Sequence, residues 1–213
     1  MKKAWIAAAA MLPLFLGACF VDWTQPEWKG DLGGGTPQVS TTLFSNSDIA
    51  GEKVFSTNDI NISRPFGKSY WLPQGSEVTT FREYKIEAVK VGGDSSAGFG
   101  MIFCHGTEES MLTAMIRTDG FFQVAEVAGG TYKPMADWNS HSAIRTGFGQ
   151  RNTLCVTRDD LGQFAFYVND QKIYEFTDDE EPVHSGGRQG YLVVVSPRED
   201  FPKVPVDVRF RPM

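Results

Sequence analysis

Residues 152–176, NTLCVTRDDLGQFAFYVNDQKIYEF, narrow the fold of this 213-residue chain more than any other stretch. Apolar and polar residues alternate through 152–157, break at Arg158–Gly162, resume over 163–168, break again at Asn169-Asp170, and run once more through 172–176. A period of two places every second side chain on one face of a strand, and an Asn-Asp break tolerates the left-handed backbone angles of a tight hairpin. Burying Phe164, Phe166 and Val168 leaves Ala165, Tyr167 and Asn169 facing outward.

The same grammar recurs along the chain. STTLFSN and EKVFSTNDINIS alternate as opening strands; REYKIEAVKV (82–91) places Tyr84, Ile86 and Ala88 on one side and stops at Gly92-Gly93-Asp94. AGFGMIFC (97–104) stops at His105-Gly106. Met, Leu and Ala give SMLTAMIRTDG (110–120) a helical flavour, but Thr118-Asp119-Gly120 is a hairpin turn and FFQVAEV resumes beyond it, so this run is a strand. It buries Leu112, Ala114 and Ile116 and turns Thr113, Met115 and Arg117 the other way. Residues 129–150 read as a long polar connection carrying Tyr132, Trp138 and His141, and RQGYLVVVSP and VPVDVRFRP close the chain as strands. Without a sustained, capped helical period, about ten or more strands imply two stacked antiparallel sheets or a closed barrel.

Composition adds exclusions. A formal net charge of −6, with no basic run beyond Lys2-Lys3, argues against a nucleic-acid partner, because displacing phosphate counterions needs clustered Lys and Arg. Residues 1–18 have two lysines, an apolar stretch and small residues ahead of Cys19, the layout of a secretory signal peptide; the stretch is too short and too interrupted, by Pro13 and Gly17, for a membrane-spanning helix. Leu16-Gly17-Ala18-Cys19 resembles the bacterial lipobox, which implies acylation of Cys19 and insertion of its chains in a lipid bilayer. Phe20 in the next position leans towards the outer membrane of the cell envelope. Residues 19–38, with Pro26, Pro37 and Gly33-Gly34-Gly35, form a flexible tether, and 39–213 the folded domain.

The Asn152–Leu154–Val156 strand, the turn at Gly162, Phe-Tyr-Val-Asn ending at Asn169 and the closing strands resemble the concanavalin A-like lectin/glucanase jelly roll over about residues 84–211. That resemblance implies an all-β, two-sheet antiparallel sandwich whose concave sheet or rim loops carry a sugar site, a hydrolase cleft, a calcium site or a protein-docking face. Fold alone does not choose among them.

Residue by residue, holding is favoured over cutting. Glycoside cleavage needs two carboxylates roughly 5–9 Å apart, and no strand carries the Glu-Xaa-Asp-Xaa-Xaa-Glu pattern of the laminarinase-type members. The acidic run Asp178-Asp179-Glu180-Glu181 reads as a solvated loop. His105, His141 and His184 are scattered and read as surface-loop residues; no metal or cofactor is expected. Once Cys19 is acylated, Cys104 and Cys155 remain, as a disulfide or as two buried free thiols. The expectation is a non-catalytic carbohydrate-binding or adhesive lipoprotein, using Arg117, Tyr132, Trp138, Tyr167 and Asn169 towards a polysaccharide if their strands share the concave sheet. The alternatives are a glycoside hydrolase of the laminarinase or keto-disaccharide type and a structural lipoprotein docking another envelope protein.

Overall fold

The computed structural model describes residues 43–49, 51–57, 68–177, 184–195 and 205–213. Apart from Leu43, which is helical, the secondary-structure elements among them are strands. They are β1 (Phe44–Asn46), β2 (Lys53–Ser56), β3 (Lys68–Val78), β4 (Glu83–Gly92), β5 (Phe99–Thr107), β6 (Ser110–Ile116) and β7 (Phe121–Ala128). The chain continues through β8 (Thr131–Ser140), β9 (Arg151–Arg158), β10 (Gln163–Val168), β11 (Gln171–Thr177), β12 (Gly187–Val195) and β13 (Asp207–Pro212).

Two antiparallel sheets result, one in the order β1-β2-β13-β4-β9-β10-β11 and the other β3-β12-β5-β6-β7-β8. The alternation seen in residues 152–176 is realised as the β9–β10–β11 meander, with Asn169 and Asp170 at φ 50° and 63° closing the second hairpin. Asn169 is fully engaged there: its Oδ1 accepts from the Thr153 amide, and its Nδ2 donates to the Ala143 carbonyl and to Asn152 Oδ1.

The inner faces meet as the alternation dictates. Phe164, Phe166 and Val168 from one sheet and Phe103, Leu112, Ala114 and Ile116 from the other are fully buried in one cluster. Phe164 stacks on Phe176 at 5.0 Å and sits 5.9 Å from Phe103, tying the sheets together at the largest side chains. Lys90 also points into this layer; its ammonium donates to the Asp94 carbonyl at 2.6 Å and the Ala97 carbonyl at 3.2 Å, which offsets the loss of water.

One expectation is corrected and one open alternative is decided. Residues 131–140 are not loop but β8, an edge strand, and residues 68–78 supply a further edge strand, β3. Pro134 and Pro73 stand within them, and proline, which has no amide hydrogen to donate, is tolerated in strands at a sheet edge. Of the two alternatives left open for Cys104 and Cys155, the structure has the one without a disulfide between them. Cys104 belongs to the layer between the sheets, whereas Cys155 alternates with the inward Leu154 and Val156 and therefore faces out of the seven-stranded sheet.

Candidate functional site

The unusual surface is the outer face of the six-stranded sheet. Ile102, Met111, Met115, Ala125, Val127, Tyr132 and Leu192 form a second apolar cluster there, separate from the core, with Trp71, Trp138 and Val194 partly buried against it. The cross-strand register sets one row as Trp71, Leu192, Gly100, Met115 and Gln123. A tryptophan thus stands at one end, and in the middle of the row Gly100 contributes no side chain. No β-carbon fits at Gly100, because it would lie 2.2 Å from the Ala114 carbonyl oxygen.

Curvature explains part of the burial. Trp138 is on β8, three strands from β5, which is about 14 Å across a flat sheet. Yet a β-carbon built on Gly98, just before β5, would lie 2.9 Å from Trp138 Cη2 and 3.1 Å from Met115 Sδ. The sheet curls so that the indole reaches over the middle strands, and Gly98 leaves room for it. The Arg117 guanidinium sits 5.0 Å from both the Trp138 and Phe121 ring centroids and pairs with Asp119. Tyr132 donates its hydroxyl to Gln123 Oε1, and burial, with Asp137 adding, raises its pKa, so it stays a neutral phenol at physiological pH.

Three of the five residues expected to bind ligand, Arg117, Tyr132 and Trp138, therefore share this face. The other two do not join them. Tyr167 lies on β10 in the seven-stranded sheet, where its row is Lys85, Cys155 and Tyr167, and Asn169 is spent on the hairpin network. Sequence reasoning missed Trp71, because Pro73 hides its strand, and missed the depth of Met115, which the alternation turned outward but which is buried.

The histidines also divide. His141 Nδ1 accepts from the Ala143 amide in the β8–β9 connection. His105 is on β5, and burial lowers its pKa, the largest of several influences. His184 is not a surface residue: it is 5% exposed and contacts Ser110 and Glu126. Among the described residues no group of three His, Cys, Asp or Glu is placed to hold a metal ion. Cys19, the tether and the acidic run 178–181 lie outside the described residues. No helix among the described residues is long and apolar enough to cross a membrane.

No family model matches the chain, and no curated protein matches it. Solved structures do. The carbohydrate-binding module CBM66 from Bacillus subtilis aligns with a TM-score of 0.58 at 11% identity, over 79% of this chain and 87% of that one. A structure described as a native glycosidic hydrolase aligns with a TM-score of 0.50 at 14% identity, over 79% and 80%. A botulinum neurotoxin type C chain, whose cell entry is described as dependent on two ganglioside molecules, gives 0.50 at 11%, over 79% of this chain and 40% of that one. At such identities the likeness establishes the fold alone: an all-β jelly-roll sandwich of two antiparallel sheets.

Proposed function

We propose that the chain is a non-catalytic carbohydrate-binding module, held at a bacterial envelope membrane by acyl chains on Cys19. Glycan would bind along the rims of the six-stranded outer face, between Trp71 and Trp138. The observation carrying this reading is the pair of half-buried tryptophans on this face, Trp71 from β3 and Trp138 from β8, with no side chain at Gly100 on the strand between. Indole faces pack against the C–H faces of sugar rings, a fixed guanidinium such as Arg117 donates to hydroxyls, and a floor locked by Met111 and Met115 keeps both from having to be ordered on binding. The sandwich likeness to a carbohydrate-binding module supports the same choice.

Cleavage is the weaker reading because it needs two carboxylates set across the scissile bond. On the other sheet, Glu52 and Glu87 instead approach one guanidinium nitrogen of Arg151, at 3.8 Å and 2.6 Å, as members of an ion-pair cluster.

The test is the full chain on a panel of polysaccharides, scoring retention and reducing-sugar release together. Trp71→Ala and Trp138→Ala should each weaken binding by at least about 10-fold, a loss of ~1.4 kcal/mol, while Tyr167→Ala should not change it. Undiminished retention in both tryptophan variants would remove the face from the proposal, and sugar release would replace holding with cutting. Lipidation is checked by intact mass, since Cys19→Ser should lose the acyl increment.

A further inference from the structure

At one end of the sandwich, away from the outer face, three side chains meet that carbohydrate binding does not use. Ser110 opens β6, Glu126 lies two residues from the end of β7, and His184 precedes β12. The Ser110 hydroxyl is 3.1 Å from His184 Nε2, and His184 Nδ1 is 3.6 Å from Glu126 Oε1. Leu112 pairs with Glu126 across the ladder and Ser110 alternates with Leu112, so both polar side chains point to the inner side of the sheet.

A buried imidazole needs polar company simply to be buried. What marks this group is its order: hydroxyl, imidazole, carboxylate, drawn from three separate parts of the chain, with the serine the most exposed of the three. Ser110 is half-buried, whereas the His184 and Glu126 side chains are 3% and 5% exposed. A carboxylate beside Nδ1 favours the proton there, which turns the Nε2 lone pair towards the serine hydroxyl. Nucleophile and base are within hydrogen-bond reach; the longer second contact fits a resting geometry that tightens in use. Ser110 itself is half-buried and follows the exposed turn residues Glu108 and Glu109.

We propose that Ser110, His184 and Glu126 form a nucleophilic triad for acyl transfer, acting on small carboxylic esters that are uncharged or cationic. The charge preference comes from Glu108 and Glu109, exposed beside Ser110, which repel anionic substrates. Ser110 Oγ attacks the ester carbonyl carbon while His184 Nε2 takes its proton; the bond to the alkoxy oxygen breaks and the alcohol leaves with that proton. A water molecule, deprotonated by the same imidazole, then attacks the acyl-serine, releasing the carboxylic acid and restoring the hydroxyl. Glu126 is a positioning residue, acting through His184.

The full chain is treated with a fluorophosphonate, whose phosphorus is attacked by an activated serine with loss of fluoride, and the adduct is mapped by peptide mass spectrometry. Native protein should be labelled at Ser110 and heat-unfolded protein should not, a comparison needing no variant. Ser110→Ala should abolish both the adduct and hydrolysis of p-nitrophenyl acetate, and leave polysaccharide retention as it was, so this proposal and the glycan reading fail separately. His184→Gln should slow labelling at least about 100-fold. Glu126→Gln should slow it less, with Glu126→Asp, which keeps the charge, recovering part of the loss. Absence of an adduct on Ser110 in native protein overturns the triad, as does equal labelling of native and unfolded chains or a rate indifferent to His184→Gln in folded protein.

Discussion

On the seven-stranded sheet the outward side chains are those of an ordinary wetted surface: Lys85, Cys155 and Tyr167 in one row, Glu87 and Arg151 as neighbours on β4 and β9, all at least partly exposed. On the six-stranded sheet the equivalent positions are Leu192, Gly100, Met115 and Gln123, all buried. Both sheets alternate in sequence, and both contribute an apolar face to the shared core. They differ in what alternation does with the second face. One leaves it to water, and the other curls and roofs it with Trp138, making a second apolar layer. Within that layer Trp71, Trp138 and Val194 are only partly buried, so the apolar surface this face offers to solvent lies with them.

If the second layer is as tightly packed as its burial implies, truncation there should cost as much as in a true core. Met111→Ala should destabilise by about 2–5 kcal/mol, read by chemical denaturation of the full chain, while Thr153→Ala on the other outer face should stay within about 0.5 kcal/mol. Near-equal small effects at the two positions would mean that the outer cluster is loosely held, and the contrast between the sheets would collapse.

That contrast was only half legible in the sequence. The β9–β11 meander could be read because its turns carry their own signals, Gly162 and Asn169-Asp170, and its apolar face is continuous. Edge strands β3 and β8 could not, since Pro73 and Pro134 break a strand pattern unless the strand is known to lie at an edge, and edge position is a property of the assembled sheet. Trp71 was lost with β3, and Trp138 was found but placed in a loop. Met115 was turned outward, as the alternation requires, but curvature buried it. The Ser110–His184–Glu126 meeting was beyond reach for the same reason: residues 110 and 184 are 74 apart in sequence and adjacent only once β12 docks beside β5.

A smaller effect sharpens the comparison from the wetted side. Burial raises the Cys155 thiol from its ordinary value of 9.0 to about 11, with Glu83 and Asp170 adding to the rise and Lys85 opposing it. Because the folded value exceeds the unfolded one, the neutral thiol's contribution to stability is complete below about pH 9 and is lost as pH rises towards 11. Alkylation of the native chain by iodoacetamide should accordingly remain slow at pH 9 and accelerate over the next two units, and Cys155→Ser should remove the thiol's share of the alkaline destabilisation. Fast alkylation of Cys155 in the folded protein at pH 8 would show that burial does not raise this thiol.

A small effect is also expected from the ion pairs of that face. Glu87 Oε1 lies 2.6 Å from Arg151 and 3.8 Å from Arg211, a small network on the seven-stranded outer face. Both arginines are more than a third exposed, so water screens the attraction and each side chain surrenders rotamer freedom to make it. Glu87→Gln, which keeps shape and removes charge, should cost no more than about 1 kcal/mol, and the difference from the unmodified chain should shrink further in high salt. A cost of several kcal/mol that ignores salt would mean that this face is stitched together by its charges. The two sheets would then differ in the means by which they hold their outer faces rigid, and an apolar second layer would lose its standing as the feature that singles out the six-stranded side.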